Sequence, residues 1–171
     1  LYDQLMEEVP WRQEHFMMGA RKIQQPRLTA WVGEEGMRYI YSRRVFEPSP
    51  WSPRLAMVRD RLREDLGITT NSVLCNLYRT GQDSMGCHAD DEPELGKNPT
   101  IASVSLGETR KMVFRHAAKE APKVELELEG GSLLVMSGTL QHHWRHELPK
   151  TKRVKAPRIN LTYRHFLSAR N

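Results

Sequence analysis

A chain of 171 residues, 39% hydrophobic and 27% charged, is long enough to bury one core without staples, so a single domain over residues 1–171 is expected. No apolar run approaches the roughly 20 residues of a membrane-spanning helix, and two cysteines without a Cys-x-x-Cys motif argue against a disulfide framework. A reducing compartment fits, cytoplasmic or, in a eukaryote, nuclear, and the formal charge of +5 favours phosphate polymers without establishing them.

The start, Leu1-Tyr2-Asp3-Gln4, has neither an initiator Met nor a signal-peptide pattern, as in an N-terminally trimmed chain. Leu1, Leu5 and Val9 predict a short amphipathic helix ended by Pro10. Residues 26–48, with Gly33, Gly36, Pro48 and several aromatics, read as short strands and loops. A second helix follows Ser52: Pro53 suits its first position, Leu55, Val58, Leu62 and Leu66 form one stripe, and Gly67 stops it. Its other face, with Arg54, Arg59, Asp60, Arg61, Arg63 and Glu64, reads as solvated.

Beyond Asn71 the pattern changes to strands at Val73–Tyr78, Ile101–Leu106, Met112–Phe114, Val124–Leu128, Leu133–Met136 and Arg158–Phe166. Val124, Leu126 and Leu128 alternate with Glu125, Glu127 and Glu129, and Gly130-Gly131 then turns the chain. Helices first and many short strands later predict an α+β, mainly β fold. The architecture expected is a double-stranded β-helix (jelly roll) buttressed by N-terminal helices. Its mouth can hold a metal and a cosubstrate, with residues 26–48 lying over it.

The chemistry concentrates at His88-Ala89-Asp90, answered far down the chain by His146. Two imidazoles and a carboxylate form a facial triad that leaves coordination positions open on Fe(II). His88 and Asp90 are two apart, so on an extended backbone they face the same way. His15, His116, His142, His143 and His165 read as surface or packed imidazoles. In the last strand Arg158, Asn160, Thr162 and Arg164 share one face, and Ile159, Leu161 and Tyr163 the other. Two arginines in an enclosed cavity need anions. They lie about 20 Å apart along the strand, so only side chains folding towards each other could share a small dianion. A dicarboxylic acid beside the metal is the economical occupant.

The combination of Asn76-Leu77-Tyr78, His88-Ala89-Asp90-Asp91-Glu92, Trp144-Arg145-His146 and Arg158-x-Asn160-x-x-x-Arg164 resembles the AlkB dioxygenases. These Fe(II)- and 2-oxoglutarate-dependent enzymes demethylate nucleic-acid bases. Pro26-Arg27-Leu28-Thr29-Ala30-Trp31 and Tyr41-Ser42-Arg43 look closest to the branch containing the human AlkB homologues 2 and 3, and the resemblance runs from about Pro26 to Phe166. It implies Fe(II) on His88, Asp90 and His146, because the family's last ligand follows Trp-x. It also implies 2-oxoglutarate with its distal carboxylate on Arg158, helped by Asn76 and Tyr78, and Arg164 near the 1-carboxylate and Asp90. Asn160 either joins that seat or ties the strand to a neighbour. With O2 as second cosubstrate the products are formaldehyde, succinate and CO2.

A base inside a duplex has to be flipped or taken from a single strand to reach the iron. The resemblance implies Tyr41 and His88 as the two flat walls, Leu74 packing on the base, Asp91 accepting from an exocyclic amino group, and Arg27 near the mouth. Backbone contacts would come from Arg43, Arg44, Lys150, Lys152, Arg153 and Lys155. Val32 stands where relatives often carry an aromatic, and Glu34-Glu35-Gly36 adds acid nearby, so strand preference stays open. The expected partner is DNA, with RNA as a further polymer, and the expected state is a monomer. The expected activity is repair of 1-methyladenine and 3-methylcytosine. Two rivals are an oxygenase of a protein side chain or small molecule, and a non-catalytic reader of modified nucleic acid.

Overall fold

The computed structural model describes residues 1–19, 21–37, 39–41, 44–153 and 155–167, with the backbone alone at Met18, Tyr39–Tyr41 and Arg44–Phe46. Helix α1 (Tyr2–Glu8) buries Leu5, and Val9 is buried just beyond it. Strands β1 (His15–Met18) and β2 (Arg21–Gln24) pair with each other as a two-stranded hairpin. Strand β3 (Leu28–Gly33) follows, then a second hairpin of β4 (Tyr39–Tyr41) and β5 (Arg44–Phe46). Helix α2 (Pro53–Leu66) starts at Ser52, whose Oγ accepts from the Leu55 amide at 3.4 Å, and stops at Gly67, where φ is +68°.

The remaining chain forms β6 (Ser72–Tyr78), β7 (Met85–His88), β8 (Ile101–Gly107), β9 (Arg110–His116), β10 (Val124–Leu128), β11 (Leu133–Met136), the short helix α3 (Leu140–His143), β12 (Trp144–Leu148) and β13 (Arg158–Arg164). One antiparallel sheet has the order β11-β8-β13-β6-β3, the other β10-β9-β12-β7. Ile101 and Met136 of the first sheet cluster with Met112, Phe114 and Leu128 of the second, so the two sheets face each other over a shared apolar layer. This is the expected jelly roll.

The five-stranded sheet is covered on its outer face by the helices. Ile159, Leu161 and Tyr163 lie opposite Leu77, Cys75 and Val73 in register, and this set packs with Leu5, Val9, Leu55 and Leu62. The Tyr163 hydroxyl donates to the Leu55 carbonyl at 2.9 Å, fixing α2 to the sheet. The expected helical buttress is therefore present, with one correction: Leu66 lies off the buried stripe and is exposed. Within the region expected as short strands and loops, residues 28–33 form a six-residue strand of the main sheet with Ala30 and Val32 buried, because these two complete the helix-facing core. The hairpin of β1 and β2 lies outside both helices and was not anticipated by periodicity.

Leu161 is fully buried between sheet and helices. Leu161→Ala should lower unfolding stability by roughly 2–5 kcal/mol, through lost burial plus the cavity left behind. Denaturant titration of metal-free protein measures it; a loss under about 1 kcal/mol would mean the helical layer does not anchor this sheet.

Candidate metal centre

Strands β7 and β12 pair with His88 directly opposite His146, which places the two imidazole centres 4.3 Å apart. Asp90 lies two residues past the end of β7. One donor atom from each of His88, Asp90 and His146 falls within 4.8 Å of the others, and among the described residues this is the one such cluster. Asp90 and His146 are buried; His88 is half-buried at the cavity side.

The electrostatics suit a cation. His88 Nδ1 lies 2.8 Å from the Gly86 carbonyl, which fixes the tautomer with Nδ1 protonated and turns the Nε2 lone pair inward. Burial, reinforced by neighbouring His88, pushes the His146 imidazole down to about 4, so it is neutral at neutral pH as ligation requires. Arg164 donates to Asp90 Oδ1 at 2.5 Å, while Asp90 Oδ2 is buried without a hydrogen-bond partner. A buried carboxylate oxygen left unpaired is costly unless a ligand completes it, so the donor set fits a divalent ion.

Two residues that sequence reasoning missed hold this centre. Gln141 of α3 is buried, and its Oε1 accepts from the Asp90 amide at 2.9 Å. Phe114 of β9 packs its ring 5.7 Å from that of His146. Their only advance signal was position: Phe114 ends the apolar run Met112-Val113-Phe114 in a predicted strand, and Gln141, between Leu140 and His142, belongs to no pattern. By contrast His142 Nε2 contacts the Lys97 carbonyl and Asn98 Oδ1, and His143 stacks on His116 with ring centres 6.1 Å apart, so neither joins the centre.

Farther along the inner face of β13, beside β6 and β8, lies a recess of buried polar side chains around Arg158. Arg158 is 1% exposed, its Nη2 donates to Ser105 Oγ at 2.8 Å, and its Nε has no partner. Burial pulls its guanidinium down to about 10, still charged at neutral pH. Tyr78 lies beside it, with the guanidinium carbon 5.4 Å from the ring centre, and Asn76 projects from the same face of β6. Asn160 donates to Ser103 Oγ at 2.8 Å and to the Val104 carbonyl, and accepts from Thr162, so its tie to β8 is fully made. The two strand arginines do not fold towards a common point: Arg164 grips Asp90, and Arg158 bonds to β8.

In front of the triad a cavity of about 510 Å³ is walled by His88, Asp90, Arg164, Leu74, Arg27, Thr29 and Trp31, among others. Trp31 and Phe166 form an aromatic pair on its wall, 6.0 Å between ring centres, and His15 and Phe16 bring the first hairpin to its rim. Arg27 Nε donates to Asn76 Oδ1 at 2.8 Å, joining the cavity wall to the recess. Asp91 is exposed and does not line the cavity, whereas Glu92 does. The side chains of Tyr41 and Arg44, and the whole of Arg43, lie outside the described residues. Lys150, Lys152 and Arg153 are exposed on a loop pressed against Gly81, where a Cβ would lie 2.7 Å from the Thr151 and Arg153 carbonyls. None of the three lines the cavity. Lys155 pairs with Glu108 at 2.9 Å.

Comparison with known proteins agrees with this geometry. The model of the 2OG-Fe(II) oxygenase superfamily matches residues 1–164. "Alpha-ketoglutarate-dependent dioxygenase alkB homolog 3" of Homo sapiens is 43% identical over 175 residues, 96% of this chain and 60% of that protein. "DNA oxidative demethylase ALKBH2" of Mus musculus is 41% identical over 179 residues, 96% of this chain and 75% of that protein. The chain thus spans about three fifths of the length of the alkB homolog 3 proteins it matches. "The structure of OsALKBH1" superposes with a TM-score of 0.63 at 18% identity, covering 95% of this chain and 90% of that one, a likeness of fold. With a family match over nearly the whole chain and relatives of which it covers three quarters, the chain belongs to the 2OG-Fe(II) oxygenase superfamily and, within it, to the AlkB family.

Proposed function

We propose that this chain carries out oxidative demethylation of alkylated nucleic-acid bases, of the 1-methyladenine and 3-methylcytosine type, in DNA and in RNA. The observation that carries the reading is the His88–Asp90–His146 cluster on the wall of an aromatic-lined cavity, in a fold whose last strand also buries Arg158. The relatives named as a DNA oxidative demethylase support the same substrate class. Fe(II), loaded with 2-oxoglutarate and O2, supplies oxidation of the N-methyl group, with formaldehyde, succinate and CO2 as products. His88, Asp90 and His146 hold the ion from one side and leave its other positions open. Arg164 takes one carboxylate oxygen of Asp90, which leaves the other for the ion. Arg158, with Tyr78 and Asn76 beside it, holds the distal carboxylate of 2-oxoglutarate in the recess.

In the cavity, Trp31, Phe166 and His88 supply flat surfaces for a base, and Leu74 packs against it. Glu92 takes the acidic role that Asp91 was expected to fill, facing the exocyclic amino group and the cationic charge of the methylated ring. Tyr41 remains a proposed wall of this slot, and Arg43, Arg44, Lys150, Lys152 and Arg153 proposed contacts to phosphates. A single chain carries every residue invoked, so a monomer suffices. No helix among the described residues is long and apolar enough to cross a membrane, and a reducing compartment keeps the iron ferrous.

The test is a panel of methylated single-stranded and duplex oligonucleotides offered to Fe(II)-loaded protein with 2-oxoglutarate in air. Formaldehyde and loss of the methyl mass are expected together. Succinate without any demethylation would transfer the chain to the class of oxygenases acting on proteins or small molecules. His88→Ala, Asp90→Ala and His146→Ala should each abolish turnover and iron retention, while His142→Ala and His143→Ala keep both. Wild-type turnover in the Asp90 variant, or iron loss from the His142 variant alone, would mean other ligands. Arg158→Ala should raise the half-saturating 2-oxoglutarate concentration by about one to two decades, the worth of charge-assisted hydrogen bonds of roughly 1.5–3 kcal/mol. Succinate formation against 2-oxoglutarate concentration reads it, and an unchanged midpoint removes Arg158 from the seat.

A further inference from the structure

A second buried arginine stands next to the recess and has no place in the chemistry above. Arg110 opens β9 and is 3% exposed. Its Nη1 donates to the Thr80 carbonyl at 3.1 Å, and its Nη2 to the Asp83 and Pro149 carbonyls, both at 2.9 Å. All three acceptors are neutral. Asp83 and Glu108 attract Arg110 from nearby, but each already has a cation of its own: Arg79 donates to both oxygens of Asp83, at 2.7 and 3.0 Å, and Lys155 pairs with Glu108 at 2.9 Å. Arg158 bonds to a neutral hydroxyl, Ser105 Oγ. Both guanidinium carbons lie over the Tyr78 ring, Arg110 at 5.8 Å and Arg158 at 5.4 Å from its centre.

Carbonyl partners satisfy the donors of a guanidinium but do not cancel its charge, and two like charges buried against one ring repel. Burial lowers the Arg158 guanidinium most, the Tyr78 hydroxyl acts in the opposite sense, and Arg110 lowers it further. An anion at this end of the recess offsets both charges at once. A neutral ligand end offsets neither.

We infer that Arg110 is a positioning residue for the distal carboxylate of the cosubstrate, acting through its charge and through the Tyr78 ring rather than by direct contact. It makes the seat select a ligand with a carboxylate at the far end over the same 2-oxo acid ending in a methyl group. The inference rests on the reading of the recess as the 2-oxoglutarate seat.

The test uses whole protein loaded with Mn(II), which binds without turnover, and calorimetric titration with 2-oxoglutarate and with 2-oxovalerate, its methyl-ended counterpart. Wild type should prefer 2-oxoglutarate. Arg110→Gln, which keeps amide donors for the carbonyls and removes the charge, should lose about tenfold in affinity for 2-oxoglutarate and leave 2-oxovalerate within about twofold. Arg110→Lys, which keeps the charge, should retain most of the preference. Equal losses for both ligands, no loss for either, or a folded Lys variant without the preference would show that Arg110 only clamps the 79–83 turn. If Arg110→Gln does not fold, the Lys variant decides alone. A wild type that binds both ligands equally removes the seat itself, an outcome distinct from a selective wild type with an equally selective Gln variant, which removes only the role of Arg110.

Discussion

Everything in this molecule depends on one strand, β13, being buried on both faces while only one face is apolar. Ile159, Leu161 and Tyr163 satisfy the outer face by ordinary burial against α1 and α2. The inner face carries Arg158, Asn160, Thr162 and Arg164, four polar groups in an enclosed layer where each missing partner is costly. Thr162 bonds Asn160, Asn160 bonds Ser103, and Arg164 bonds Asp90. Arg158 and Arg164 each keep an unpartnered Nε.

The second constraint is the pairing of β12 with β7. Facing His146 to His88 makes a bidentate grip out of two residues far apart in sequence, and the gripping nitrogens must be neutral to serve. Burial holds His146 neutral, and the Gly86 carbonyl orients His88. Asp90 is positioned twice, by Gln141 at its amide and by Arg164 at its carboxylate. The centre thus stands on the cavity wall, and the Arg27–Asn76 hydrogen bond joins that wall to the polar side chains of β6.

How much of this was legible follows from which physical rule each part obeys. The helix at 53–66 was legible because its cap, proline, stripe and terminal glycine are local signals. The two faces of β13 were legible from a two-residue period, whereas the chain past β7 follows no such period, so Glu92 in the cavity wall was not. What stayed hidden depends on tertiary partners. Residues 28–33 fall in a region legible only as short strands and loops, and their place at the edge of the main sheet is set by pairing with β6. Gln141 and Arg110 are polar residues whose burial is decided by segments distant in the chain. The contact of Arg164 with Asp90 was legible from the family pattern, whereas the bond of Arg158 to Ser105 was not, because it comes from a strand distant in the chain.

The most direct measurement is a crystal structure grown anaerobically with Mn(II) and 2-oxoglutarate. The account predicts the ion bound by His88, Asp90 through Oδ2, and His146, with the distal carboxylate on the Arg158 guanidinium and the Arg164–Asp90 contact kept. An ion held by His142 or His143, or a distal carboxylate lying on Arg164 with Asp90 displaced, would contradict it.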